Sequence, residues 1–364
     1  MGKRKRAVEN MVESMLDFYR DKSVLVTGHT GFKGAWLCTI LTMAGARVTG
    51  FALPPAEGPN LYDLANIAEK VDSRLGDIRD LATLRAAFDA AQPELVFHLA
   101  AQPIVREGYR DPVGTYGTNV MGTVHLLECV RQSGSVQSVV NITTDKVYLN
   151  SGRSEGYRED DILNGSDPYA NSKSCSELVT ASYRKSFFAD RPTAISTARA
   201  GNVIGGGDFA KDRIIPDCVR AAQSGRPIRL RNPRSVRPYQ HVLEALSAYL
   251  LLAERQCSDR GVADCYNVGP DDGDCVTTGE LAEMFCRAWG QGMRWENVGN
   301  AGEPHEDGVL RLDCAKIRSR LGWHARWHVE QAVEETVAWT QEWLNGGDLT
   351  KCMERQVLKY FREG

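Results

Sequence analysis

From residue 24 to about residue 200 the chain alternates between two rhythms of apolar and polar positions. Short apolar runs (Val24-Leu25-Val26, Arg47 to Phe51, Leu95-Val96-Phe97 and the stretch at Val139) have the length and β-branched content of buried strands. Between them the apolar positions recur at helical spacing: Trp36 to Ala44, Leu61 to Val71, then Leu81, Leu84 and Phe88 on one face, and Val120, Val124 and Leu127 on another. Strands buried on both sides and alternating with helices predict a parallel sheet covered on both faces, an α/β, Rossmann-like doubly wound fold.

Past residue 200 the alternation gives way to Gly-, Pro- and Arg-rich segments (Gly205-Gly206-Gly207, Arg226-Pro227, Arg231-Asn232-Pro233, Arg237-Pro238). Amphipathic stretches follow from Thr278 to Trp289 and from Val329 to Leu344. This break predicts a smaller, discontinuous C-terminal lobe that the chain enters more than once. The expected organisation is an N-terminal extension over 1–20 and a sheet domain over 21–200 with returns near 236–268. A second lobe is expected from 201–235 and 269–345, and a C-terminal tail over 346–364. No internal repeat or low-complexity segment interrupts this plan.

Composition bounds the reading without deciding it. A chain of 364 residues is long enough for one large α/β unit and a smaller lobe, and a net charge of -3 gives no reason to expect nucleic acid or a membrane surface as partner. Ten cysteines stand singly from Cys38 to Cys352 without a Cys-x-x-Cys, and the histidines do not cluster. Neither a metal site nor a disulfide framework is expected, and reduced thiols fit a cytoplasmic location. Lys3-Arg4-Lys5-Arg6 reads as a solvated start, and no apolar run has the length of a secretory core or a bilayer span.

The first strand runs into Thr27-Gly28-His29-Thr30-Gly31-Phe32-Lys33-Gly34, with a helix pattern immediately after. Glycines at 28, 31 and 34 allow a tight turn and bring backbone N–H groups and a helix N-terminus close to a pyrophosphate, so this loop is the expected dinucleotide site. The end of the second strand, Gly50-Phe51-Ala52-Leu53, carries no carboxylate for an adenosine ribose, and Lys33 could favour a 2′-phosphate there.

Farther along, Tyr169 and Lys173 stand four apart behind Asp167-Pro168, a cap and first-turn pair that predicts a helix with both side chains on one face. A phenol with a reference value of ~10 acts as a base near neutrality only if positive charge pulls it down. Thr144, at the end of the Val139 run, adds a hydroxyl donor, and Asp145 and Lys146 follow it directly. Oxidising a sugar carbinol needs only Thr144, Tyr169 and Lys173; the extra acid and amine permit the expulsion of a hydroxyl group as well.

The glycine spacing and the Tyr169/Lys173 pair resemble the extended short-chain dehydrogenase/reductase family. Within it, Thr144-Asp145-Lys146-Val147-Tyr148 and Gly156-Tyr157-Arg158-Glu159 resemble the CDP-glucose 4,6-dehydratases, where dTDP-type enzymes carry Asp-Glu after the threonine. So do His98 to Pro103, Ala200 to Asp208, Arg213 to Asp217 and Arg237 to Val242, which together carry the resemblance from about residue 20 to 345.

The resemblance implies NAD as cofactor, with Gly28, Thr30, Gly31, Phe32, Lys33 and Gly34 around the pyrophosphate. It puts Asp77, Ile78, Leu99, Ala100 and Ala101 beside the adenosine, Asn119 in support of the site from a helix, and Tyr169 and Lys173 toward the nicotinamide end. It implies a nucleotide-sugar substrate, CDP-glucose in the first instance. The reaction is oxidation at C4, loss of the C6 hydroxyl after C5 deprotonation and reduction at C6. Tyr169 is then the acid/base at the C4 oxygen, Thr144 a donor to the same oxygen, Asp145 the acid and Lys146 the base of the elimination. Moving the proton from a lysine ammonium to an aspartate costs about 9 kcal/mol in water, so the working pair requires a dry pocket. Arg237 and Asn202 are the expected diphosphate ligands, with Arg213, Arg231 and His305 next. Val147, Leu149 and Tyr239 depart from the pattern near the sugar. Other readings of the same residues are a dehydratase for another nucleotide sugar, a 4-epimerase, or a non-catalytic dinucleotide sensor. A homodimer or homotetramer is implied, with the helices around Val120 and Leu178 as candidate contact faces.

Overall fold

The computed structural model describes residues 16–299 and 309–362. Seven strands build the central sheet: β1 (Ser23–Thr27), β2 (Arg47–Ala52), β3 (Asp72–Leu75), β4 (Leu95–His98), β5 (Ser138–Ile142), β6 (Ala194–Ala200) and β7 (Cys265–Val268). Their spatial order is β7-β6-β5-β4-β1-β2-β3, and every neighbouring pair is parallel. Helices α1 (Phe32–Met43), α2 (Leu81–Ala91), α3 (Gly122–Gln132) and α4 (Pro168–Phe187) form crossovers.

The pleat explains which residues each face buries. Val24 and Val26 of β1 point to one side with Trp36, Leu37 and Leu41 of α1; Leu25 points to the other with Leu84, Phe88, Leu126 and Val130. The inner strands β1, β4 and β5 are buried along almost their whole length because helices cover both sides. Strand order reverses between β1 and β4, where Thr27 lies opposite His98. That switch point opens a crevice beyond the carboxyl ends of the strands, which is where such sheets place their ligands.

The second lobe surrounds α5 (Ile214–Gln223), α7 (Thr278–Trp289) and α8 (Val329–Leu344), with α6 (Val242–Ser258) between the first two in sequence. Ile215, Val219, Leu281, Phe285, Val333 and Val337 share its core, with the strand pair Ile228–Leu230 and Trp295–Asn297 alongside. Helix α6 is apolar almost all round and belongs to the main core, so the chain returns to the sheet through α6 and β7.

Several details correct the sequence-based expectations. The tail expected over 346–364 contains α9 (Leu349–Arg362), which buries Leu349, Met353, Val357 and Phe361 at helical spacing. The end of the extension expected over 1–20 is also anchored: Tyr19 is fully buried and donates its hydroxyl to Leu250 O at 2.6 Å. The single helix expected over Leu61 to Val71 is two short ones, Leu61–Leu64 and Ile67–Lys70, because Asn66 takes φ +51° between them. Among the described residues, no helix is long and apolar enough to cross a membrane.

Candidate active site

At the crevice, Gly28 has φ +78°, and a Cβ there would lie 2.8 Å from Ala100 N; one at Gly34 would lie 2.1 Å from Gly28 O. A side chain at Gly28 would wedge the β1 and β4 loops apart, and one at Gly34 would push α1 off the β1 loop. Gly31 starts α1 without a side-chain cap, which leaves the helix N-terminus open toward an anion. Thr30 donates to Leu53 O at 2.9 Å and ties the loop to the end of β2. Gly28, Gly31 and Gly34 therefore form a cradle that fits a dinucleotide pyrophosphate, with Leu99, Ala100 and Ala101 on its β4 wall. Asp77 and Ile78 follow β3; Asp77 is gripped by Arg79, and Ile78 packs under Gly122.

Lys33 and Asn119 have more specific places than the sequence suggested. The Lys33 amine lies 6.0 Å from the Tyr249 ring centroid, and its charge is felt by Lys173. It therefore faces the centre of the crevice, which removes the reason to link it with an adenosine 2′-phosphate. Burial and the nearby Arg213 bring it down to about 8. Asn119 sits in a π-helical turn, Gly117–Met121, and both ends of its amide are engaged. It accepts from Gln102 N at 2.8 Å and donates to Gln102 O and to Ser172 Oγ at 2.9 Å, pinning the β4 loop to α4.

The two halves of the expected chemistry meet at the end of β5. Asp167 caps α4 by accepting from Ala170 N at 3.0 Å, with Pro168 in the first position, so Tyr169 and Lys173 share the buried face. Lys173 donates to Ile142 O at 3.0 Å, which docks α4 on the last residue of β5. Two residues on, Thr144 caps the 3₁₀ turn Asp145–Val147. Its hydroxyl donates to Asp145 Oδ1 at 2.9 Å and stands beside the Tyr169 phenol, which it helps to bring down. The one proton of Thr144 is thus directed at Asp145 rather than held free for a substrate oxygen.

Asp145 is 1 % exposed and also accepts from Asn202 Nδ2 at 2.8 Å. Asn202 adopts φ +48° to reach it, and a Cβ at Gly201 would fall 2.0 Å from the carboxyl group. Lys146, next on the turn, is half-buried. Burial pushes the Tyr169 phenol up to about 12, although its bond to Thr144 opposes the rise. Burial and the charge of Lys33 bring Lys173 down to about 7, against the pull of Glu177. The expected lowering of the phenol by its lysine partner is therefore overcome by desolvation in the protein alone.

Beneath the turn lies an ion pair that the sequence reading missed. Glu177, one helical turn beyond Lys173, meets Arg199 Nη2 of β6 at 3.0 Å, with both side chains 3 % exposed. Glu177 also accepts from Thr143 and Thr197, while Arg199 donates to Tyr148 OH at 2.8 Å. Thr143 and Tyr148 flank the Asp145–Val147 turn, so one buried pair holds both of its ends. His98 was missed as well; buried at the switch point, it bonds Thr27 Oγ1 through Nδ1 at 2.7 Å. A carboxylate at the i+4 position of the Tyr169/Lys173 face was the available signal for Glu177.

The expected substrate residues divide. Arg213 faces the crevice near Tyr169 and Lys33, held by Asp208 at 2.9 Å. Arg237 is half-buried on the strand Val236–Pro238, bonded to its neighbour's carbonyl, Val236 O, at 2.9 Å. Asn202 is brought to Asp145, and Arg231 is exposed beside the strand Ile228–Leu230. His305 lies outside the described residues. Val147 is fully buried and Leu149 is exposed. Among the described residues, no group of three His, Cys, Asp or Glu side chains is placed to hold a metal ion.

Comparison with known proteins accords with this arrangement. The family model for GDP-mannose 4,6 dehydratase matches residues 25–336. The chain is 44% identical over 350 residues to the CDP-glucose 4,6-dehydratase of Salmonella typhimurium strain LT2, covering 94% of this chain and 97% of that one. Among solved structures it resembles MoeE5 in complex with UDP-glucose and NAD, at 26% identity and a TM-score of 0.74 over 88% of this chain and 99% of that one. It also resembles the Thermus thermophilus UDP-glucose 4-epimerase in complex with NAD, at 25% identity and a TM-score of 0.75 over 87% and 98% of the two chains.

Proposed function

The chain belongs to the GDP-mannose 4,6-dehydratase family of nucleotide-sugar enzymes, and on that premise we propose that it converts CDP-glucose to CDP-4-keto-6-deoxyglucose and water with NAD as bound cofactor. The observation that carries this reading is the turn at Asp145–Val147, which presents an acid and an amine next to the Thr144–Tyr169 hydroxyl pair. An epimerase has no use for that acid. A sensor has no use for any of the four.

NAD in the glycine cradle supplies the acceptor for the hydride released at C4, its return to C6, and a positive charge that brings down the buried phenol. Tyr169 removes the proton of the C4 hydroxyl. Once C4 is a ketone the hydrogen on C5 is acidic, and the Lys146 amine takes it. Asp145 delivers a proton to the C6 oxygen as it departs as water, and Lys146 gives its proton back to C5. The surroundings of Asp145 fix it in place, since its carboxyl group is buried and engaged by both Thr144 and Asn202. Arg213, aimed by Asp208, and Arg237 supply the positive charge for the diphosphate.

Ten unpaired cysteines support a reducing, cytoplasmic setting. Met121 and Leu178, 48% and 56% exposed on the α3–α4 side, support pairing with a second copy there. The function is tested by incubating the protein with CDP-, dTDP-, UDP- and GDP-glucose and following loss of water by mass spectrometry. Dehydration of CDP-glucose is expected; loss from another of the four instead would reassign the base, and loss from none would remove the reading.

A further inference from the structure

Resting on that function, the proton ledger of the reaction sets a requirement that the site must meet. The hydrogen on carbon C4 ends on C6, and the C5 proton returns to C5. The water that leaves therefore consists of the C6 hydroxyl and the proton of the C4 hydroxyl. Tyr169 gains that proton and Asp145 gives one away, so unless a proton passes from one to the other before the elimination, each turnover would leave the enzyme with one proton on the wrong group. Lys146 ends as it began.

We propose that Thr144 is a proton relay: the proton that Tyr169 takes from the C4 hydroxyl passes through the Thr144 hydroxyl to Asp145, which delivers it to the departing C6 oxygen. Tyr169 gives its proton to Thr144 Oγ1, Thr144 gives its own to Asp145 Oδ1, and both hydroxyls are restored with no net change in either residue except the transfer. No proton is drawn from solvent.

The geometry favours this route over exchange with water. Thr144 Oγ1 already donates to Asp145 Oδ1 at 2.9 Å, the direction a transfer toward the carboxylate requires. A lone pair remains free to accept from the Tyr169 phenol, which lies close enough for Thr144 to bring it down, so Thr144 stands between the two groups. Asp145 is 1 % exposed, its other oxygen is taken by Asn202, and the Gly201 backbone is packed so closely that a Cβ would overlap the carboxyl. A buried acid with both oxygens engaged by protein is poorly placed to be recharged by solvent.

The transfer runs against reference acidities, because a phenol is a weaker acid than a carboxyl group. One feature of the site reduces that difference: the Asp145 charge is one of the causes holding the phenol up, so neutralising Asp145 makes Tyr169 a stronger acid. Made after C4 oxidation, the one transfer frees the phenolate and supplies the acid that the elimination needs.

The experiment compares Thr144→Val and Thr144→Ser with wild type, using NAD-loaded enzyme and CDP-glucose. Single-turnover absorbance of NADH reports C4 oxidation, rapid-quench mass spectrometry reports water loss, and NAD binding with circular dichroism confirms that each variant is folded. For Thr144→Val, water loss should fall ~10²–10⁴-fold, the scale of a lost proton transfer, and by at least tenfold more than C4 oxidation. NADH and the unreduced keto-sugar should then accumulate, and small acids such as imidazolium should speed the lagging step. Thr144→Ser, which keeps the hydroxyl, should restore both rates to within about tenfold of wild type. Equal slowing of the two steps in Thr144→Val, with no effect of imidazolium, would show that Thr144 only orients Tyr169 and would overturn the relay. Wild type in parallel separates the two levels: no dehydration by wild type removes the underlying function and the relay with it, whereas equal slowing beside an active wild type removes the relay alone.

Discussion

Asn202 donates its side-chain amide to Asp145 Oδ2 at 2.8 Å, bridging the start of the second lobe to the Asp145–Val147 turn. Asn202 does this from φ +48°, a region that asparagine and glycine tolerate better than other residues. Replacing it by glycine therefore removes the amide without adding backbone strain. If the amide serves to fix Asp145, Asn202→Gly should lower kcat for dehydration ~10- to 100-fold, as expected for loss of a hydrogen bond to a charged group, and leave KM within about threefold. Steady-state kinetics with CDP-glucose decide this. A raised KM with unchanged kcat would return Asn202 to the diphosphate.

The division of labour along the turn predicts a separable defect at Asp145. An amide at this position keeps the acceptor facing Thr144 and the fit against Gly201, but has no acidic proton to deliver. Asp145→Asn should still form NADH when CDP-glucose is added, and water loss should drop ~10²–10⁴-fold. Absorbance of the reduced cofactor and mass spectrometry of the sugar read the two steps independently. Full dehydration by this variant would take the acid role away from Asp145.

Glu177 and Arg199 should govern stability more than any surface pair. Both are buried, and each also anchors a residue flanking the catalytic turn, Thr143 or Tyr148. Arg199→Met leaves an uncompensated carboxylate in the core and should cost ~3–5 kcal/mol. Adding Glu177→Leu should recover much of that loss, because desolvation of the lone charge is removed with it. Urea midpoints of the two variants test this, with the double variant expected above the single. A single variant as stable as wild type would mean that the pair contributes nothing net.

How much of this was legible depended on whether a side chain's task is local. The β1 loop could be read because the glycines at 28 and 34 face backbone within one turn and across one strand, a demand that sequence spacing expresses directly. Tyr169 and Lys173 were readable for the same reason, since a helix fixes the i, i+4 relation. The contacts of Asn202 with Asp145 and of Lys33 with Tyr249 were not readable, because these partners are set by how the lobes and loops converge. The Glu177–Arg199 pair needed the β5–β6 register to become visible. Helix α9 was mistaken for a tail although Leu349, Met353, Val357 and Phe361 stand four apart; its polar residues are numerous enough to hide a narrow apolar stripe.

Glu244 ties the C-terminal helix to the core and should make stability depend on pH. It accepts from Arg326 N, from Trp327 N at 2.7 Å and from Tyr360 OH, all in a buried setting faced by the Arg326 guanidinium and by His328. Burial pushes its carboxyl up to about 7, above the unfolded value near ~4.5, despite those hydrogen bonds. A raised folded value means that the folded state binds the proton more tightly. Its contribution is fully present below pH ~4.5 and is lost as pH rises through about 7, to an extent of about 3 kcal/mol. Glu244→Gln keeps a neutral acceptor of the same shape and has no proton to lose. Thermal unfolding between pH 5 and 8 should therefore show the variant gaining on wild type as pH rises, by several degrees at the upper end. Parallel melting curves across that range would mean that Glu244 is accommodated as a carboxylate at little cost.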